Sequence, residues 1–275
     1  MSADVVPDRA STALGLRGLV AAAHAGPTIA VTVLFSLLAA AQGMSLARGA
    51  LVAGAVLTGQ LTIGWSNDLL DRGRDAAAGR HDKPVATGEV SVAAVRAACV
   101  LALVVCVALS LACGVAAGLV HLVCVAAGWA YNLGLKATTW SWLPYAVAFG
   151  GLTVFVALAD GSVAPWWWPA GAALLGVGAH LLNVLPDLDD DAATGVRGLP
   201  HRLGPRWIAP VAAGVLVAAS AVVVVGAAPP LPLVGAVGVL VVGLAAVVVT
   251  ARGRLPFLAA ILIALVDATL LVVSR

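Results

Sequence analysis

VSVAAVRAACVLALVVCVALSLACGVAAGLVHLVCVAAGWAYNLGLK, residues 90–136, decides the fold: between Arg96 and Lys136 it contains no Asp, Glu, Lys or Arg. Gly114 divides it into two apolar runs, 90–112 and 114–135, each close to the ~20 residues that carry a helix across a bilayer's hydrocarbon core. Reading outward, runs of the same kind fall near 18–42, 48–68, 141–159, 166–188, 206–227, 230–250 and 255–274. Val-rich pieces such as Val222 to Val225 would favour strands in water, but in lipid a helix satisfies its own backbone and that preference is overridden. The expected class is all-α: a polytopic membrane bundle of nine transmembrane helices.

The composition agrees. Hydrophobic residues make up 62% of the 275, and only 15 basic and 13 acidic side chains are present, whereas a water-soluble globule carries about a quarter of its residues charged. Nine spans leave no room for a large extramembrane domain, so any chemistry sits in loops or inside the bundle. A net charge of +2 with no basic tract excludes nucleic acid as the expected partner. Cys99, Cys106, Cys113 and Cys124 all lie in apolar stretches without C-x-x-C spacing and are expected as small packing residues. The N-terminus, with Asp4, Asp8, Arg9 and Arg17 before the apolar run, does not resemble a cleavable signal, so the first span is expected to be retained.

Lys and Arg set the orientation. With the N-terminus cytoplasmic, thirteen of the fifteen face the cytoplasm and only Arg48 and Arg275 face away. The expected location is therefore a multi-pass position in a membrane, taken as a bacterial cell membrane, with N-terminus and active site on the cytoplasmic side. Trp166, Trp167 and Trp168 then fall at the outer interface, and Trp140, Trp142 and Trp207 near the inner one, as aromatic anchors.

Nine of the thirteen acids lie on or beside two of the inner connections: Asp68, Asp71, Asp75, Asp82 and Glu89 on one, Asp187, Asp189, Asp190 and Asp191 on the other. The surrounding sequences are NDLLDRGRDAAAGRHDKPVATG (67–88) and NVLPDLDDDAATGVRGLPHRLG (183–204). At a constant offset of 116 residues they share nine identities, Asn67/Asn183, Leu69/Leu185, Asp71/Asp187, Asp75/Asp191, Ala76/Ala192, Ala77/Ala193, Gly79/Gly195, Pro84/Pro200 and Gly88/Gly204, where composition alone gives roughly two or three. The chain reads as one domain, 1–275, built from two parallel four-helix repeats, about 18–135 and 141–250, plus a ninth helix.

On a helical wheel Asp68, Asp71 and Asp75 fall at about 0°, 300° and 340°, on one face, and Asn183, Asp187 and Asp191 stand one turn apart. Carboxylates so close repel one another unless cations bridge them. Mg²⁺, which takes oxygen ligands and is usually held by a few carboxylates together with substrate phosphates, suits the pattern. Arg72, Arg74, Arg80, Lys83, Lys136, Arg197 and Arg202 surround the same place, and acid, base and Mg²⁺ together suit a diphosphate.

With these residues in view a family likeness follows. Asn67 to Asp75, with Asp82, Lys83 and Pro84 downstream, resembles the first aspartate motif of the UbiA-type intramembrane prenyltransferases. Asp187 to Pro200, DLDDDAATGVRGLP, resembles their second, and YNLGLK, Tyr131 to Lys136, the Tyr…Lys stretch between the two. The likeness covers essentially the whole chain. It implies an enzyme that binds a polyprenyl diphosphate through Mg²⁺ and transfers its isoprenyl group to a lipophilic, often aromatic, acceptor. Position by position, it implies that Asn67, Asp68, Asp71 and Asp75 hold one Mg²⁺ and Asp187 and Asp191 a second, that Arg72, Lys83, Lys136 and Arg197 meet diphosphate oxygens, and that Tyr131 flanks the reacting carbon. The chain departs from the pattern at Asn183–Val184, where several members have Asn-Asp.

His180, two turns deeper than Asp187 on the same face, is a candidate contact or base for the acceptor, or else a histidine bonded within the bundle. His24 is a second candidate for the cavity wall, and Asp267, inside the ninth span, is expected to bond a neighbouring helix. Two other functions fit part of the pattern. A terpene cyclase of the same superfamily would carry the same motifs. A cation-coupled transporter would also use parallel repeats and paired acids, but here the acids gather at the cytoplasmic helix ends rather than mid-span. No protein partner is indicated.

Overall fold

The structure is a computed structural model that describes residues 9–253 and 255–273; Asp4, Asp8, Arg254 and Arg275 lie outside them. In chain order the helices are α1 (Arg9–Ala22), α2 (Ala25–Ala41), α3 (Leu46–Ala77), α4 (Pro84–Thr87), α5 (Val92–Ala112), α6 (Val115–Asn132), α7 (Leu143–Ala159), α8 (Trp167–Val184), α9 (Leu188–Ala193), α10 (Leu199–Leu203), α11 (Pro205–Ala227), α12 (Leu231–Thr250) and α13 (Leu255–Val273). Three-residue 3₁₀ turns stand at Leu135–Ala137 and Leu185–Asp187. Among the described residues there is no strand. Six helices are long and apolar enough to cross a membrane, α1 and α2 pass that test together as a bent pair, and α7 and α13 are shorter apolar helices. The chain is an integral-membrane helical bundle.

Local chemistry sets several of the starts. Ser45 and Ser91 cap α3 and α5 by accepting from the backbone N–H of Arg48 and Ala94. Pro stands in the first turn of α4, α7, α10, α11 and α12, where the N–H it lacks would be unsatisfied anyway.

Three boundaries differ from the expected ones. The expected span 18–42 is two helices, bent by 61°. His24 between them is left-handed, φ 52°, and Pro27 has no N–H to give the Ala23 carbonyl; the Thr28 hydroxyl bonds that carbonyl instead, at 2.9 Å. The expected span 48–68 is the start of a helix that runs on to Ala77, so the first aspartate motif is helical through Asp75. The expected span 166–188 ends at Val184, because Pro186 cannot donate back along the helix, and Asp187 comes to lie on the 3₁₀ turn.

Neighbouring helices close a ring. α2 packs on α3, α3 on α5, α5 on α6, α6 on α7, α7 on α8, α8 on α11, α11 on α12 and α12 on α13, and α13 returns to α2. Phe35, Val52, Val56, Leu152 and Phe155 fill one half of the interior, and Leu181, Ile208, Leu216, Val248 and Ile263 the other. The four cysteines are free and buried, as expected of packing residues. Trp166 is exposed as an anchor would be, but Trp168 turns inward and is buried. Asp267 of α13 accepts a hydrogen bond from Ser220 of α11 at 3.0 Å, the neighbouring-helix bond expected of it.

Gly64 of α3 faces the break between α1 and α2, and a Cβ there would run into the Ala23 carbonyl group. Backbone cannot yield as a flexible side chain can. Gly64→Ala should therefore cost about 1–3 kcal/mol, seen as a drop of several degrees in the thermal midpoint of the purified protein. Gly235→Ala, which meets nothing within 4 Å, should leave the midpoint unchanged.

Candidate active site

The last turns of α3 place three carboxylates at one end of the bundle, and each meets a different environment. Asp68 is 1% exposed. Its Oδ1 receives Lys83 Nζ and His24 Nε2, both at 2.9 Å, and these two nitrogens stand 3.1 Å apart. The break between α1 and α2 thus turns His24 onto the first motif, while Lys83 arrives from the residue before α4.

Asp71 is held from the opposite side. Lys136 Nζ contacts both of its oxygens at 2.5 and 2.7 Å, Arg74 Nη2 approaches at 2.5 Å one turn along, and Asn67 Nδ2 donates at 3.1 Å. Asn132, beside Tyr131, accepts from Asn67 and donates to Ser66 and the Ile63 carbonyl, which fixes α6 against α3. Lys136 sits on the 3₁₀ turn after α6, whose entry needs Gly134 at φ 144°. Burial pulls its ammonium below the ordinary lysine value, opposed by the adjacent Asp71. Asp75 is buried and its Oδ2 has no hydrogen-bond partner among the described residues; nor has Asp68 Oδ2.

The second motif lies across from the first. Arg80 Nη1 bonds Asp187 at 3.2 Å and reaches Asp190 at 3.7 Å, while Nε and Nη2 form a fork on Asp82 at 2.9 Å each. That fork holds the Asp82 carboxyl down at about 2 and raises the Arg80 guanidinium. One arginine therefore ties together segments 107 residues apart. Asp191 lies within electrostatic reach of Asp187, His201, Arg74 and Lys136.

Deeper in the bundle the wall is aromatic. Tyr131, Tyr145 and His180 form a triangle with ring centroids 5.3, 5.7 and 4.7 Å apart, and Phe149 stacks on Tyr145 at 6.5 Å. Tyr131 lies near both Asp71 and Asp191, so this wall meets the two motifs at one point. His180 is fully buried and bonded to Ser141.

The structure brings together Asn67, Asp68, Asp71, Asp75, Lys83, Tyr131, Lys136, Asp187, Asp191, His180 and His24 at this end. His24 meets Asp68 and Lys83 there. Arg72 and Arg197 are exposed and pair with no carboxylate among the described residues, whereas Arg74 pairs with Asp71 and Arg80 with Asp82 and Asp187. The sequence reading missed Asn132, Ser141, Tyr145 and His201 as site residues. Arg74 was legible as the i+3 partner of Asp71, and Asn132 from its place in YNLGLK. No spacing marks Ser141 or Tyr145, which arrive by the packing of α7 on α8. Among the described residues, no three His, Cys, Asp or Glu side chains stand close enough to hold a metal ion as they are, and the chain's own cations meet Asp68, Asp71 and Asp187. The donor chemistry nevertheless fits an oxygen-seeking ion: every candidate ligand is an oxygen, and Asp68 Oδ2 and Asp75 Oδ2 are buried and unpaired.

The sequence profile of the UbiA prenyltransferase family matches residues 28–266. No curated protein matches the chain. Among solved structures, a UbiA homologue from Archaeoglobus fulgidus bound to GPP and Mg²⁺ superposes with a TM-score of 0.70 at 16% identity, covering 94% of this chain and 99% of that one. The same homologue bound to DMAPP and Mg²⁺ gives 0.71 at 15%, covering 93% and 98%. An apo UbiA homologue from Aeropyrum pernix K1 gives 0.73 at 20%, covering 87% and 96%. At these identities the likeness establishes a common fold.

Lys83→Met would leave the buried Asp68 carboxylate without its lysine. Removing one partner of a buried ion pair costs about 3–5 kcal/mol, so the thermal midpoint should fall sharply. Arg72→Met, at an exposed unpaired position, should leave it within a degree or so; equal losses in the two variants would refute the assignment.

Proposed function

The chain belongs to the UbiA prenyltransferase family, and on that premise we propose that it transfers an isoprenyl group from an allylic polyprenyl diphosphate to a lipophilic, often aromatic, acceptor inside the membrane. The observation that carries this reading is the convergence at the inner end: Arg80 joins the two aspartate segments, and Lys136 and Tyr131 stand between them.

Two Mg²⁺ ions are the proposed cofactor, one held by Asn67, Asp68, Asp71 and Asp75, the other by Asp187 and Asp191. When bound, such ions neutralise the leaving diphosphate and link it to carboxylate. The chain's own groups do the rest. Lys83, Lys136, Arg74 and Arg80 exchange their carboxylate partners for diphosphate oxygens. Exposed Arg72 and Arg197 at the rim attract the anion from water. The C1–O bond breaks with its electron pair leaving on the diphosphate, and the faces of Tyr131 and Tyr145 attract the allylic cation that remains. The apolar interior keeps water from that cation until the acceptor forms its bond to C1 and releases a proton, which the departed diphosphate takes up. The GPP and DMAPP bound to the Archaeoglobus homologue support a prenyl diphosphate as donor.

The same proposal includes a single domain of nine spans, cytoplasmic at the N-terminus and the site, made by duplication. The six long apolar helices, the bent pair and the two short ones supply nine segments. Element ends support the repeat. Adding 116 to 25–41 of α2 gives 141–157, beside α7; 46–77 of α3 gives 162–193, the reach of α8 and α9; 84–87, 92–112 and 115–132 fall on α10, α11 and α12. Gly79 and Gly195 share a left-handed φ, 66° and 85°, as do Gly88 and Gly204, 78° and 79°.

Asp71→Asn and Asp187→Asn, assayed with farnesyl and geranylgeranyl diphosphate and extracted membrane lipid, should each lower Mg²⁺-dependent product formation by at least about a hundredfold. Both variants should remain folded in the membrane. Near-normal turnover in either would sink the mechanism.

A further inference from the structure

Both ring nitrogens of His201, on α10, are buried and bonded to nothing among the described residues. A neutral imidazole carries one N–H and one lone pair, and a protonated one carries two N–H groups. Whichever form is present, at least one buried donor lacks an acceptor, at a cost of about 1–3 kcal/mol. The first half of the chain shows what this position holds when packing alone decides. At the offset of 116 residues, with Pro84 on Pro200 and Gly88 on Gly204, His201 falls on Val85, which is buried in one apolar cluster with Trp65, Val90 and Val95. An apolar side chain fills that place without an orphaned donor, so the imidazole calls for a polar partner.

The complementary group is Asp191, on α9, which packs against α10. Asp68, Asp71, Asp82 and Asp187 each pair with a lysine or arginine, whereas no hydrogen bond or ion pair reaches the Asp191 carboxyl among the described residues. Of the basic side chains that act on it, His201 is foremost, ahead of Arg74 and Lys136. The backbone between the two is fastened at both ends. The Val196 N–H donates to the Asp191 carbonyl at 2.8 Å, and the Leu199 N–H to the Ser141 hydroxyl at 3.0 Å. A donor without an acceptor and a carboxylate without a donor thus face each other across one short turn. A carboxylate that ligates an ion through one oxygen is oriented by a hydrogen bond to the rest of the group.

We propose that His201 donates a hydrogen bond to the Asp191 carboxylate when a divalent cation occupies the second aspartate motif, and so fixes the oxygen with which Asp191 holds that ion. The proposal rests on the reading of Asp187 and Asp191 as Mg²⁺ ligands and adds a positioning residue that touches neither the ion nor the diphosphate. The bond forms from whichever ring nitrogen carries the proton.

The test uses the full-length protein in detergent with slowly reacting farnesyl thiolodiphosphate, and Mn²⁺ as the probe, its binding followed by electron paramagnetic resonance. His201→Leu should weaken Mn²⁺ binding at least about tenfold, and His201→Gln, which keeps an N–H donor, by no more than about threefold. His201→Val, which installs the residue of the first half, should match His201→Leu. On an Asp191→Ala background His201→Leu should add no further loss. The metal-free thermal midpoint should not fall in His201→Leu, while the rise in midpoint on adding Mn²⁺ should shrink; a merely structural histidine would give the reverse. Unchanged Mn²⁺ binding in His201→Leu, an equal loss in His201→Gln, or a further loss on the Asp191→Ala background would overturn the assignment. Absence of Mn²⁺ binding from the wild type defeats the metal reading itself, while wild-type binding that His201→Leu leaves intact defeats only the role of His201.

Discussion

A carboxylate at the end of an apolar bundle cannot stay charged and alone, and the acidic end of this molecule is organised around that constraint. Moving an ion out of water costs several kcal/mol even after the surroundings relax, so a nearby cation has to answer it. Asp68 takes Lys83 and His24, Asp71 takes Lys136 and Arg74, and Asp187 and Asp82 take Arg80. These pairs are also tertiary contacts that fix the connections at this end. The segment before α4 is fastened to α3 by Lys83, the turn after α6 by Lys136, and the second motif to the first by Arg80. Asp267 is answered, among the described residues, by the Ser220 hydroxyl.

The break at His24 serves the same constraint. A straight first helix would carry His24 past Asp68; the left-handed residue, the missing Pro27 N–H and the close approach of Gly64 turn the chain so that the imidazole reaches it. Backbone geometry, glycine packing and ion pairing thus meet at one place. The same logic holds at the far motif, where Pro186 ends α8 and lets Asp187 swing onto a 3₁₀ turn within reach of Arg80.

Much of this was legible because its physics is local. Charge scarcity gave the helical membrane class, and carboxylates one turn apart gave the two acidic knots, since helical spacing alone puts Asp71 and Asp75 on one face. What spacing cannot give is the angle at which a helix arrives. Arg72 and Arg74 are indistinguishable in a list of cations, yet only Arg74 stands at i+3 from Asp71 and meets it, while Arg72 points outward. Ser141 and Tyr145 carry no pattern. They matter because Gly176 lets α7 and α8 approach closely enough to enclose His180, a fact of three-dimensional packing that no linear period records.

The charge at this end has a consequence for the order of binding. Lys83, Lys136, Arg74 and Arg80 face Asp68, Asp71, Asp75, Asp82, Asp187, Asp190 and Asp191, so these groups offer no net attraction to a multiply charged diphosphate. Such an anion arriving alone would have to strip cations from buried carboxylates and leave those carboxylates exposed to one another. If divalent cations enter with it, the carboxylates keep a positive partner while lysine and arginine turn to the phosphate oxygens. On the proposed reading, metal dependence would follow from electrostatics in a low-dielectric setting, and the unpaired oxygens of Asp68 and Asp75 are where that exchange would begin.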